Sequence, residues 1–249
     1  MSIVNLGAKP AIGLQTPENL NIAGFVPLSS VDWEGQLVST VFLQGCTWDC
    51  YYCQNTELIS VRSQGSVSWE KVYNHAQKRI GLLDGFVFSG GEPTRQKALP
   101  EAVKAIKSLG FKVGLHSCGA FPTLLAKSLP LLDWIGLDIK ALPSDYESVT
   151  GRAKSQDNAY KSLELVVAEA KKRDSFSYEI RTTIAPSLAT SEYTGKLCAL
   201  LYELGVTNYV LQTCRDEGTR PAPEEYGSLI VDMPSPDFDT SKFDKFIIR

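Results

Sequence analysis

A regular alternation of strand-like and helix-like segments restricts the fold of this chain more than any other feature of its sequence. Residues 36–44 (QLVSTVFLQ) read as a strand, 85–89 (GFVFS) as a short buried strand ending in two glycines, and 112–117, 134–140, 177–184 and 208–213 as further strands. Between them, 68–81 reads as a helix, with Ser68 as its cap and Glu70 in the first turn, where a carboxylate favours the helix dipole. Leu99, Ala102, Val103 and Ile106 recur with helical period; Pro100 fits only a first turn, and Gly110 stops the helix. Residues 121–132, 158–172 and 191–204, the last ended by Gly205, supply the other helices. Strands separated by helices of this length build βαβ units and a parallel sheet. Six such units are two short of a closed eight-fold barrel, so the expected fold is α/β, a partial, open (β/α)6 TIM-like barrel. The expected organisation is a single domain over 1–249, with a core from 24 to 215 and a C-terminal extension over 216–249. Residues 216–239, rich in Pro, Asp and Glu, read as a surface segment, 243–249 (FDKFIIR) as a last edge strand, and the first 20 residues carry no clear pattern.

Composition bounds the partners. With a net charge of −3 and no clustered excess of Lys and Arg, no nucleic-acid footprint is expected. No window approaches the roughly 18 apolar residues that span a bilayer, and residues 1–10 lack the pattern of a secretory signal. A cytoplasmic protein without membrane contact is expected. In that reducing setting the six cysteines do not read as a disulfide framework.

Three of them crowd into GCTWDCYYCQN, as Cys46, Cys50 and Cys53 with C-x3-C-x2-C spacing, in the loop after the first expected strand. A structural zinc site wants a closed set of four ligands, and an electron-transfer [4Fe–4S] site wants four cysteines. Three thiolates from one loop would leave one iron of a cubane open to another ligand. Three unrelated buried cysteines are the plain alternative. The segment SGGEP, Ser89–Pro93, weighs in at the end of the next strand, on the same face as the cysteine loop, because both follow carboxyl ends of parallel strands. Gly90 and Gly91 permit close approach of backbone to a ligand.

Further polar residues fall on that face. Gly136, Asp138 and Lys140 alternate with Ile135, Leu137 and Ile139, and Glu179, Arg181 and Thr183 alternate with Tyr178, Ile180, Thr182 and Ile184. Helices should cover the apolar faces, so the charged faces should line the interior, where they need partners: one another, or a charged ligand. His116 and Ser117 end the third strand; His116 reads equally as a ligand contact or as a hydrogen-bonded scaffold residue. Cys118 reads as a small buried hydrophobe and Cys198 as helix core, while His75 reads as a solvated helix position.

The C-x3-C-x2-C loop followed by GGEP one βα unit later resembles the radical S-adenosylmethionine (SAM) superfamily, over roughly residues 24 to 215. The resemblance implies a [4Fe–4S] cluster on Cys46, Cys50 and Cys53, with SAM chelating the open iron. It implies that Gly90, Gly91 and Glu92 help hold the SAM amino group and that Tyr52 lies near the adenine. Lys140 and Arg181 then become candidates for the SAM carboxylate, Asp138 for ribose, a cation or an amine, His116 and Ser117 for SAM or substrate, and Gln212 for the adenine end. The implied chemistry is reductive cleavage of SAM to methionine and a 5′-deoxyadenosyl radical.

Val26–Cys46, CQNTEL (53–58), FSGGEPTRQ (88–96) and LDIKA (137–141) are similar as a set to the activating proteins of glycyl radical enzymes, most like those of anaerobic ribonucleoside-triphosphate reductase. That resemblance implies an oxidoreductase that generates a glycyl radical on a partner enzyme, with flavodoxin or ferredoxin as electron donor. The sequence departs from the family's pattern at Gln54, where many relatives carry His, and at His116, where related activases often place an acidic residue. Trp48 and Asp49 replace more basic residues. Two other classes stay open at this point: a radical SAM enzyme acting on a small molecule, in the manner of a carboxydeazaguanine synthase, and a non-catalytic iron–sulfur or zinc module.

Overall fold

The computed structural model describes residues 15–215, 218–221, 224 and 228–249. Its centre is one eight-stranded sheet whose strands lie side by side in chain order. They are β1 (Ile22–Ser29), β2 (Val38–Leu43), β3 (Gly85–Gly90), β4 (Lys112–Ser117), β5 (Trp134–Asp138), β6 (Ser177–Thr183), β7 (Asn208–Gln212) and β8 (Lys245–Ile248). From β2 onward every pairing is parallel, whereas β1 runs antiparallel to β2. The order is linear, with no pairing between β8 and β1, so the sheet curls into an open barrel as the βα rhythm predicts. The last expected strand is β8, added parallel to β7.

The helices cover the outer face. They are α1 (Trp69–Gln77), α2 (Leu99–Ser108), α3 (Pro122–Ser128), α4 (Tyr146–Thr150), α5 (Ser155–Lys172) and α6 (Ser191–Glu203). Ser68 caps α1 by accepting from Lys71 N–H at 3.2 Å. In α2, Leu99, Ala102, Val103 and Ile106 are fully buried, matching the stripe read from the sequence. Helix α5 begins at Ser155, three residues before the expected 158. Ile135, Leu137 and Ile139 are buried under this layer, so the apolar face of β5 does point outward to the helices. No helix among the described residues is long and apolar enough to cross a membrane.

Three expectations need correction. The strand β1 was not foreseen, because Gly24 and Pro27 disguise an edge strand whose pairing is irregular in register. Strand β5 stops at Asp138, so Lys140 lies beyond the strand and not within it. The described part of 228–239 is not merely a surface segment: Leu229 is buried, and Asp237 N–H donates to Ser191 O at 2.9 Å at the start of α6. The other residues of that stretch lie in part outside the described set.

The turn between β1 and β2 closes the N-terminal end of the barrel. Trp33 stacks on Trp134, with ring centroids 5.4 Å apart and 18° between planes, and packs with Val38 and Val87. A side chain at Gly114 would meet the Trp33 ring at 3.0 Å, so this position accepts only glycine without rearrangement. Glu34 in the same turn pairs with Lys245 of β8 at 2.5 Å and clasps the two open edges.

Candidate active site at the carboxyl ends of the strands

The cysteine loop leaves β2 and is fastened on several sides. Gly45 N–H donates to Leu58 O at 2.8 Å, Cys46 N–H to Ile59 O at 3.0 Å and Asp49 N–H to Thr150 O at 2.9 Å. Gln44 Nε2 donates to Glu57 O and Ser60 O, which folds the following segment back onto the strand end. Trp48 is buried edge-on against Tyr146. Arg220, from the C-terminal segment, pairs with Asp49 and donates to Cys50 O at 3.3 Å.

The Gly-Gly-Glu turn sits beside it. Gly91 N–H donates to Leu43 O and Glu92 N–H to Gly45 O, both at 2.9 Å. A Cβ on Gly91 would come within 2.6 Å of Gly45 O, and Gly90 has φ +124°, so the pair of glycines is what lets two strand ends approach this closely. The Glu92 carboxylate is fully buried. It accepts from Thr94 N–H (2.9 Å), Thr94 Oγ1 (2.5 Å), Ser117 Oγ (2.9 and 3.0 Å) and Cys118 N–H (2.7 Å). Those donors satisfy it within the protein and lock the end of β3 to the end of β4.

All six cysteines are free thiols. Among the described residues no three His, Cys, Asp or Glu side chains converge on a point that would hold one ion, and a cubane bound at separate corners does not require that. The neighbouring Cys118 thiol holds the Cys46 thiol below its usual range, against the effect of burial. Burial pushes Cys50 up to about 12 and raises Cys53. Lys140 is close enough to lower all three.

Behind the loop lies the charged interior. Arg181 Nε donates to Asp138 Oδ1 at 2.9 Å and its Nη2 to Gly136 O at 3.2 Å. Lys140 Nζ stands 3.6 Å from Asp138 Oδ2, too long for a good hydrogen bond, and 5.7 Å above the Tyr52 ring. Burial opposes the charge of Asp138, but Arg181 and Lys140 outweigh it and hold the carboxyl below its usual range. Burial likewise opposes the Lys140 charge, and the acidic groups around it, Tyr52, Cys50 and Asp138 among them, push its affinity for the proton well up. Tyr52 is buried with its hydroxyl unpartnered.

The structure thus brings Cys46, Cys50, Cys53, Tyr52, Gly90, Gly91, Glu92, Ser117, Asp138, Lys140 and Arg181 to one end of the barrel. His116, Ser117 and Gln212 are also engaged by partners within the protein. His116 Nε2 lies 2.7 Å from Asp32 O and Nδ1 lies 3.4 Å from Ser89 Oγ, with its ring edge-on to Trp134. Burial, helped by Arg181, pushes its pKa down to about 4, so it is neutral, and of its two sequence readings the hydrogen-bonded scaffold is the one these contacts describe. Ser117 serves Glu92. Gln212, with its amide oxygen turned to the Arg249 guanidinium at 2.9 and 3.1 Å, belongs to a pair-network in which Arg249 also holds Glu179 at 2.9 Å. His75, expected to be solvated, is half-buried: Nε2 is 3.2 Å from Ser39 Oγ and the ring packs edge-on to Phe25 and Phe86.

Sequence reading missed four contributors. Tyr146 accepts from Lys140 N–H at 3.1 Å, and Thr94 binds Glu92. Arg220 and Arg249 arrive from the C-terminal extension. Thr94 was legible, since a hydroxyl two residues after a buried acid can serve it; the other three depend on long-range packing that no local spacing encodes.

Comparison with known proteins agrees with this geometry. A glycyl-radical enzyme activating enzyme, provisionally so named, of Methanocaldococcus jannaschii is 28% identical over 174 residues, 69% of this chain and 71% of that one. A pyruvate formate-lyase-activating enzyme of Clostridium pasteurianum is 27% identical over 161 residues, 62% of this chain and 64% of that one. Among solved structures, anSMEcpe with bound AdoMet superposes with a TM-score of 0.56 at 16% identity, over 70% of this chain and 49% of that one. Streptococcus suis SuiB bound to precursor peptide SuiA gives 0.55 at 13% identity, over 83% and 47%. The chain spans about half the length of those two structures, and at these identities they speak for the fold alone. The chain is thus homologous to glycyl-radical enzyme activating enzymes. The Radical SAM superfamily model matches residues 40–180, from β2 through most of β6 and including the cysteine loop and the Gly-Gly-Glu turn, and this chain belongs to that superfamily.

Proposed function

We propose that this protein is a radical SAM activase that generates a glycyl radical on a partner enzyme, the partner being anaerobic ribonucleoside-triphosphate reductase. One observation carries the reading most directly: three free thiols on a single loop, fastened through Gly45 O to the Gly-Gly-Glu turn at the end of the adjacent parallel strand. The set of stretches resembling this family and the names of the relatives support it further.

Membership of the superfamily implies a [4Fe–4S] cluster and SAM, and the residues present fit both. Three thiols on one loop form a soft donor set suited to iron–sulfur binding. The buried, unpartnered Tyr52 hydroxyl and the half-buried Lys140 ammonium, with no short hydrogen bond of its own, are polar groups left for a ligand to satisfy. When bound, the cluster and SAM supply one-electron reductive chemistry and a carbon-centred radical able to remove a hydrogen atom from a glycine Cα.

The chain's own contribution is binding and orientation. Cys46, Cys50 and Cys53 would hold the cluster as thiolates, so Cys50 and Cys53, whose thiols burial keeps protonated, would give up their protons to it. Lys140 offsets the negative charge of the thiolates and offers its ammonium to the SAM carboxylate. Arg181, already engaged by Asp138, acts chiefly by fixing Asp138 and Lys140 in place. Glu92 keeps its carboxylate for Thr94, Ser117 and Cys118, so that the backbone of Gly90–Glu92 is the part left to meet the SAM amino group. Tyr52 offers its ring and hydroxyl to the adenosyl end. Trp33 and Trp134 shut the opposite end, so the substrate loop enters from the cysteine side. The low-potential electron comes from flavodoxin or ferredoxin.

The test is anaerobic reconstitution, reduction and mixing with SAM and anaerobic ribonucleotide reductase. The expected result is a glycyl EPR doublet on the partner together with 5′-deoxyadenosine. Formation of 5′-deoxyadenosine with no glycyl signal on any glycyl radical partner would move the assignment to another radical SAM substrate.

A further inference from the structure

Strand β5 stops at Asp138, and the backbone that carries Lys140 runs on outside any strand. Ile139 is still tied to β6: its N–H donates to Arg181 O at 2.8 Å, and its carbonyl accepts from Thr182 Oγ1 at 2.6 Å. Beyond it, tyrosine hydroxyls take over. Lys140 N–H donates to Tyr146 Oη at 3.1 Å, Ala141 O accepts from Tyr160 Oη at 2.9 Å, and Leu142 N–H donates to Tyr193 Oη at 2.9 Å. The three tyrosines belong to α4, α5 and α6 respectively. Tyr193 Oη also donates to Asp145 Oδ2 at 3.2 Å, farther along the same loop. Tyr146 lies edge-on to Trp48, so its ring touches the cysteine loop while its hydroxyl holds Lys140. The Lys140 ammonium itself has no short partner to fix it, standing 3.6 Å from Asp138 Oδ2. The aim of that side chain must therefore come largely from its backbone, and three consecutive residues of that backbone are each fixed by a different helix.

We propose that Tyr146, Tyr160 and Tyr193 are positioning residues, whose hydroxyls hold residues 140–142 so that the Lys140 ammonium is aimed at the ligand end of the barrel. Backbone groups that leave a sheet need new partners, and a loop without them opens easily and carries its side chains with it. Here the phenols supply the partners that a longer strand would have supplied. Burial raises the pKa of each phenol, so all three keep their protons at neutral pH and Tyr160 remains a donor to Ala141 O. Loss of any one hydroxyl frees a backbone group at Lys140 or within two residues of it. The effect on SAM rests on Lys140 being a SAM ligand, as in the proposed function; the hold on the backbone does not.

The experiment has two parts. Amide hydrogen exchange of the cluster-free protein, followed by NMR, should show the Lys140 and Leu142 amides protected although they lie outside any strand. In Tyr146→Phe the Lys140 amide, and in Tyr193→Phe the Leu142 amide, should exchange about tenfold faster, the size of one lost hydrogen bond. The native measurement needs no variant, so unprotected amides at 140 and 142 overturn the proposal even where a variant fails to fold. The second part is equilibrium dialysis of the reconstituted protein with labelled SAM. Y146F, Y160F and Y193F should each bind SAM about two- to tenfold more weakly, and none should weaken it further in a Lys140→Met background, because the hydroxyls act through Lys140. A loss of the same size in both backgrounds would give the tyrosines a general structural role and overturn the positioning role. Faster exchange in the variants with SAM binding intact in K140M would count against Lys140 as a SAM ligand and leave the backbone hold standing.

Discussion

His116 and Lys140 are both basic residues inside the barrel, and their surroundings could hardly differ more. His116 lies toward the closed end, where its ring packs against Trp134 and its nitrogens meet Asp32 O and Ser89 Oγ. Lys140 lies toward the cysteine loop, with its nearest carboxylate at 3.6 Å and an aromatic face 5.7 Å away. Nearby, the Tyr52 hydroxyl has no partner at all. Both nitrogens of His116 have partners within the protein, whereas Lys140 and Tyr52 lack short ones. Burying an unsatisfied polar group costs on the order of 1–3 kcal/mol, so a fold retains such groups where something else completes them.

Substitutions at the two ends should therefore fail differently. Trp33→Ala should cost about 3–5 kcal/mol of stability by urea unfolding, because it empties the stacked plug against Trp134. It should leave the iron content of the folded fraction unchanged. If W33A instead lost iron at unchanged stability, the plug would belong to the site.

Acidification should strike the closed end as well. His116 is held to about 4, below the ordinary value of about 6.5 for an unfolded imidazole. Between those two values the unfolded chain takes up a proton that the folded chain refuses, so stability is full above pH 6.5 and falls as pH drops toward 4. The expected loss is about 3 kcal/mol, and it should vanish in His116→Gln. Urea titrations at several pH values give the slope. An identical slope in H116Q would place the effect on Asp32, Asp138 or other groups.

The open end should show the reverse pattern. Lys140→Met should weaken SAM binding by about 1.5–3 kcal/mol, the range for a hydrogen bond to a charged group. It should cost little stability, because Asp138 keeps its 2.9 Å pair with Arg181 when the 3.6 Å contact to Lys140 is removed. Equilibrium dialysis with labelled SAM reads the first effect and urea unfolding the second. Strong destabilisation with intact SAM binding would make Lys140 a structural partner of Asp138.

The smallest effect belongs to the clasp between the barrel's edges. Lys245→Ala removes a solvent-facing pair with Glu34 and should cost no more than about 1 kcal/mol, less at high salt. A larger loss would show that the edges of the barrel are held by charge and not by the Trp33 plug.

Most of the barrel could be read from sequence because strand and helix periods are local. The stripe of α2, the Ser68 cap and the strand Lys112–Ser117 appear where the pattern puts them. Strand β1 escaped because its pattern is broken and its partner lies across an irregular hairpin. The cysteine loop and Gly-Gly-Glu turn were legible as spacing. What the charged residues do was not, because alternation gives a side chain's face but not its partner. Alternation puts Glu179 on the charged face of its strand, but its partner Arg249 lies 70 residues on. Cys118 reads as a small buried hydrophobe and is buried, and only the fold shows that its backbone N–H serves the Glu92 carboxylate.

The central claim is that the open end is a site completed by an iron–sulfur cluster held on Cys46, Cys50 and Cys53. Its most direct measurement is 5′-deoxyadenosine formation by reconstituted, reduced protein and by the three single alanine variants at those positions. The account predicts production by the native protein and background levels in each variant, with wild-type unfolding curves throughout. Undiminished production in any one of the three would contradict it.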